Sequence, residues 1–189
     1  MLRPVTRFPR HFAHANWLRV TLAWTLVTGG CFGATGTTTQ TLSATISPVG
    51  RLVLPGSTTL TAAGTTFQPF TGTLAVSYEV RTTAAGGGSI TLRVSSDFTP
   101  AGGPTAANGV LTYTCGAAGL GTACSGTQTA STTAQTPVLT VPAAACTGGG
   151  GACSGQDPNT INLNFTLTDQ PAYATGTYTA QVTLLISAT

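Results

Sequence analysis

The sequence predicts an all-β protein, an antiparallel sandwich or barrel of eight or nine short strands. Three observations predict it. Short apolar runs with a period of two recur along the chain, connectors rich in Gly, Pro, Thr and Ala separate them, and no stretch holds a helical period. Threonine is abundant, and a β-branched polar residue suits the solvent face of a strand.

The runs can be taken in order. Leu42, Ala44 and Ile46 alternate with Ser and Thr, and weaker strands are expected at 51–54 and 58–62. Leu74, Val76, Tyr78 and Val80 alternate with Ala75, Ser77, Glu79 and Arg81, and Ile90, Leu92 and Val94 with Thr91, Arg93 and Ser95. These two runs read as a hairpin over 74–94, with Glu79, Arg81 and Arg93 on its polar face, where opposite charges can meet across strands. Weak strands follow at 110–115 and 137–141. Ile161, Leu163, Phe165 and Leu167 then alternate with Asn and Thr, and Tyr178, Ala180, Val182, Leu184 and Ile186 close the pattern. Burying one face of each run supplies enough core for a single domain.

The first 36 residues read as an export signal. Arg3, Arg7, Arg10 and Arg19 form a basic stretch, the apolar run from Val20 to Val27 follows, and small residues continue to Gly36. That run is shorter than the roughly 20 residues a membrane-spanning helix needs. Ala34-Thr35-Gly36 places small residues where a signal peptidase cuts, so residues 37–189 are expected to be the mature domain. Cys31, after Val27-Thr28-Gly29-Gly30, offers a second outcome, lipidation of a lipoprotein-type box, with Thr28 standing where a leucine-like residue belongs. The expected location is extracytoplasmic: periplasm, cell surface or secreted, with no integral membrane span in the mature chain.

Separating the leader changes the charge. The whole chain carries +3, but residues 37–189 hold only Arg51, Arg81 and Arg93 against Glu79, Asp97, Asp157 and Asp169, a net charge of −1. A near-neutral body cannot neutralise several phosphates, which disfavours nucleic acid as a partner. Both histidines, His11 and His14, lie in the leader, so no Ser-His-Asp or Cys-His arrangement is available to the body. The four carboxylates are scattered, there is no P-loop, dinucleotide fingerprint or EF-hand loop, and Asp157-Pro-Asn159 reads as a turn. Asn164-Phe-Thr166 matches a glycosylation sequon but falls mid-strand. No enzyme activity, metal or cofactor is expected.

Four cysteines remain, Cys115, Cys124, Cys146 and Cys153, an even number suited to an oxidising compartment. Three connectivities are open. The spacing favours Cys115–Cys124 and Cys146–Cys153, each closing a short Gly/Ala-rich loop, at about 2.5 kcal/mol for a ten-residue loop. A zinc site would prefer tighter C-x₂₋₄-C spacings. Gly121-Thr-Ala-Cys124-Ser-Gly126 recurs as Gly150-Gly-Ala-Cys153-Ser-Gly155, so the two loops are similar solutions to pinning and a candidate paired tip. Among the aromatics, Tyr78, Phe165 and Tyr178 alternate inward, whereas Phe67, Phe70 and Phe98 sit in connectors and are the candidate ligand contacts.

The segment Phe165-Thr-Leu-Thr-Asp-Gln-Pro-Ala-Tyr-Ala-Thr-Gly176-Thr-Tyr178-Thr-Ala-Gln-Val-Thr-Leu-Leu-Ile-Ser-Ala-Thr189 resembles the last hairpin of secreted bacterial surface β-sandwich proteins of the spore coat protein U-like and fimbrial-subunit-like families. A G-x-Y-T step enters a final alternating strand, with Gly176 fourteenth from the end as in pilins; Ala188 stands where pilins carry a penultimate aromatic. The resemblance covers about 25 residues. It implies an immunoglobulin-like sandwich displayed outside the inner membrane, in a structural or adhesive role such as a fimbria-like or coat subunit. The implied partners are copies of itself, other surface subunits and a periplasmic chaperone. The alternative is an extracytoplasmic binding module for carbohydrate or another envelope ligand. Donor-strand exchange would need an N-terminal apolar alternation; residues 42–46 supply one, and serve equally as the domain's own first strand.

Overall fold

A computed structural model describes residues 39–147, 153–154 and 158–189. The export signal, its cleavage point, Cys31 and Asp157 lie outside the described residues. The fold is a β-sandwich. Its elements in chain order are β1 (Val49–Val53), β2 (Thr61–Ala62), β3 (Phe70–Arg81), β4 (Gly88–Thr99), a 3₁₀ turn (Ala106–Asn108), β5 (Leu111–Cys115), β6 (Thr122–Ala123), β7 (Gln128–Thr129), β8 (Thr136–Val141), β9 (Cys146–Thr147), β10 (Cys153–Ser154), β11 (Asn159–Leu167) and β12 (Thr179–Ala188). The compact unit runs from Ala44 to Thr189.

In the first sheet β3 is central. It pairs with β11 from Phe70↔Leu167 to Tyr78↔Asn159, and β11 pairs with β5, which carries β7 at the edge. On its other side β3 is flanked by β1 and then β2, an interrupted edge. The second sheet runs β12-β4-β8-β6. Long ladders in both sheets are antiparallel; the two-residue contact of β9 with β10 is parallel.

The alternation read from the sequence selects the core. Leu74, Val76, Tyr78 and Val80 from β3, Ile161, Leu163, Phe165 and Leu167 from β11, and Leu111 and Tyr113 from β5 are buried against Ile90, Leu92 and Val94 from β4 and Val138, Leu139 and Val141 from β8. Tyr113 and Phe165 face each other in register with ring centroids 5.7 Å apart, a tilted contact. Two tyrosines bring polar ends into this core and find partners. The Tyr78 hydroxyl donates to Leu120 O (2.5 Å) and accepts from Leu120 N (2.9 Å), while Tyr113 crosses to the second sheet, donating to Pro137 O (2.8 Å) beside Thr136 Oγ1. Burial raises both phenols above 10.0.

Two sequence expectations are corrected. The 74–94 stretch is not a hairpin: β3 and β4 belong to different sheets, and the 82–87 connection crosses between them. Glu79 therefore meets neither Arg81 nor Arg93 across strands; it pairs with Arg51 of β1 at 3.0 Å. Residues 42–46 form no strand, since the first ladder begins at Val49.

Candidate functional site: an open flank beside an exposed apolar segment

The two lateral sides of the sandwich differ. On one, Cys115 at the end of β5 in the first sheet is bonded to Cys124, which follows β6 in the second sheet and donates its N–H to Val138 O. This bridge and the Tyr78–Leu120 and Tyr113–Pro137 hydrogen bonds tie the sheets together there. Cys146 is also in a disulfide, and the ladder places Cys153 opposite it; the Cys153 side chain lies outside the described residues.

The opposite flank has no such closure among the described residues. It lies between the β1–β2 edge and β12, whose ladder partner among the described residues is β4 alone. The two edges come into contact at Gly50: a Cβ there would sit 3.0 Å from Ile186 Cγ1, so glycine permits the contact. Away from that point cover is incomplete. Val182, Leu184, Ile186 and Ala188 pack against the core from β12 yet remain half-buried, as do Leu52 and Leu60 across the gap. The equivalent residues of neighbouring β4, Ile90 and Leu92, have no exposure. Half-buried apolar residues on an edge strand with unpaired backbone are a template for another strand.

The alternating segment lies just upstream of β1. Leu42 is 92% exposed and Ile46 72% exposed, and neither enters a ladder. Leaving two large aliphatic side chains in water forgoes about 1.5–3 kcal/mol each relative to full burial.

The three candidate ligand aromatics are not brought to one surface role. Phe70 and Phe98 are half-buried against the core, whereas Phe67 is 56% exposed in the 63–69 connection and holds φ at 43°, a left-handed backbone that side chains other than glycine seldom adopt. Two shallow surface depressions, of about 250 and 220 Å³, are walled by small and hydroxyl residues, one around Thr122 and Leu139 and one around Ala106 and Ser131. Among the described residues no three His, Cys, Asp or Glu side chains cluster to hold a metal, and no helix is long and apolar enough to cross a membrane.

Asp97 organises the loop after β4, a role not visible in its spacing. Its carboxylate accepts from the N–H groups of Phe98 (2.8 Å) and Ala106 (2.7 Å) and from the Thr105 hydroxyl, and Thr105 in turn caps the 3₁₀ turn. Burial pushes the carboxyl up, but these hydrogen bonds with one from Ala107 N–H outweigh it and hold the group below 3.8. Because the folded value is the lower one, the stabilisation is complete above about pH 4 and is lost as pH falls through the folded value. Asp97→Ala is expected to cost about 1–2 kcal/mol at pH 7. In urea melts at pH 7 and pH 2.5 the variant should lose less stability on acidification than the parent; equal losses would remove Asp97 as the cause.

No family model matches the chain, and no curated protein or solved structure is detectably similar to it.

Proposed function

We propose that the chain is an exported, non-enzymatic structural or adhesive subunit, an immunoglobulin-like sandwich that assembles with copies of itself outside the inner membrane. The observation that carries this reading is the pairing of complementary features in one chain: an exposed apolar alternation at 42–46 and a flank whose edge strand is half-covered. Addition of a strand at β12 would give main-chain hydrogen bonds to its free edge and cover Val182, Leu184 and Ile186. The disulfide between the sheets supports an oxidising location. The test is sedimentation velocity with negative-stain microscopy of the mature protein over a concentration series. Concentration-dependent oligomers or fibres are expected; a strict monomer at every concentration overturns the reading.

A second reading, a binding module for carbohydrate or another envelope ligand, has one observation in support, the exposed Phe67 on strained backbone. It predicts that a glycan array gives a signal and that Phe67→Ala weakens it at least tenfold, about the 1.4 kcal/mol expected from losing an aromatic contact. A silent array counts against this reading.

A further inference from the structure

Arg81 ends β3, and among the described residues its side chain pairs with no carboxylate. Nε and Nη2 both donate to the carbonyl oxygen of Ser47, at 3.0 and 2.8 Å. Glu79 is engaged by Arg51 instead. The β1–β3 ladder begins at Val49↔Arg81, so the guanidinium grips the chain two residues beyond the last ladder pair. Pro48 lies between them. It has no N–H with which to extend the ladder, and it restricts Ser47 to extended backbone. Among the described residues, the bonds from Arg81 are the specific contact that fixes the chain upstream of Pro48.

The root of the segment is close to its own acceptor. Gly50 is against Ile186, so a chain free to turn at Ser47–Pro48 would have the β12 edge of the same molecule within reach. Five extended residues span about 17 Å, half the length of the ten-residue β12. An intramolecular partner on a short tether acts at an effective concentration on the order of millimolar, above that of a second copy at micromolar. Untethered, the segment would satisfy its own flank and assembly would stop. Ile46 at 72% exposure shows that it is not so buried.

We infer that Arg81 is a latch: by holding Ser47 in line with β1 it keeps residues 42–46 from folding back along β12 of the same chain and presents them to a second copy. This inference rests on the proposed assembly through that segment. Arg81 acts through Ser47 and is a positioning residue, and the fork of two N–H groups onto one carbonyl is something arginine provides and lysine cannot.

The test compares the full mature protein with Arg81→Ala and Arg81→Lys, using Arg51→Ala as a control that removes a neighbouring arginine of the same face. Sedimentation velocity reads association, and amide exchange of the diluted monomer reads residues 42–46. Arg81→Ala is expected to weaken association about tenfold or more and to slow exchange at 42–46 by a similar factor, as the freed segment pairs with its own β12. Arg81→Lys should shift both in the same direction by less, and Arg51→Ala should shift neither. Association of Arg81→Ala as tight as the parent, or exchange at 42–46 as fast as in the parent monomer, overturns the latch. A parent protein that never associates overturns the assembly reading instead, and the exchange comparison still decides whether Arg81 holds the segment off.

Discussion

A Cys115→Ala/Cys124→Ala protein is expected to lose about 2.5–3 kcal/mol of unfolding free energy and to melt roughly 5–10 °C lower. The bridge closes a loop across a sequence separation of 9 residues, and chain-entropy arithmetic for a loop of about ten gives close to 2.7 kcal/mol. Its position adds a local consequence. The strands nearest it, β6 and β7, are two residues each, too short to be held by their ladders. Without the bridge, the connection from Cys115 to Cys124 is anchored by the Tyr78 hydroxyl at Leu120, by Gly116 and Gly119 N–H at Asn162 O and Thr160 O of β11, and by Cys124 N–H at Val138 O. Amide exchange should therefore accelerate first at 116–129 while the β3–β11 ladder stays protected. The double variant isolates this bond, whereas a reductant also opens the disulfide of Cys146. A loss below about 1 kcal/mol in denaturant melts would show that the cross-sheet hydrogen bonds alone hold the closed flank.

Much of the sandwich was legible because a period of two reports which face of a strand is buried. Val76, Tyr78, Ile90, Leu92, Ile161 and Leu163 were all read as inward, and all are buried. The same period does not say which sheet a strand joins, which is why β3 and β4 read as a hairpin although their connection crosses between sheets. It is also silent about partners. Leu42, Ala44 and Ile46 have the pattern of any inner strand, and only the structure shows Leu42 and Ile46 exposed. The flank itself had no signature: Val182, Leu184 and Ile186 alternate as cleanly as Ile90, Leu92 and Val94, and their incomplete burial follows from β12 standing at a sheet edge. Pairs such as Arg81–Ser47 and Tyr78–Leu120 join residues 34 and 42 positions apart, and no local composition rule reaches that far. The Cys115–Cys124 bridge was legible because spacing alone limits a short loop.

Leu42→Asp/Ile46→Asp protein is expected to remain folded and to lose association by at least about 100-fold. Both side chains are exposed, so substituting them costs the domain itself no more than about 0.5 kcal/mol, and melting should be unchanged. In an assembled pair the same side chains would enter the gap over Val182, Leu184 and Ile186. Burying two aliphatic side chains is worth about 3–6 kcal/mol, and 2.8 kcal/mol already corresponds to 100-fold. Asp adds the cost of carrying a charge toward the apolar side chains of the flank, so the loss should exceed that of the corresponding alanines. The choice of control matters more than the size of the effect. Leu184→Asp would weaken association too, but Leu184 packs against the core and its loss would destabilise the domain, leaving two explanations for one result. Leu185 is the better comparison: it lies on the same strand, is 55% exposed, and points to the opposite face. Leu185→Asp should leave association intact if the flank is the acceptor and reduce it if copies stack through the outer face of the second sheet. A pair of variants in which 42/46 has no effect and 185 does would move the interface from the strand edge to the sheet face.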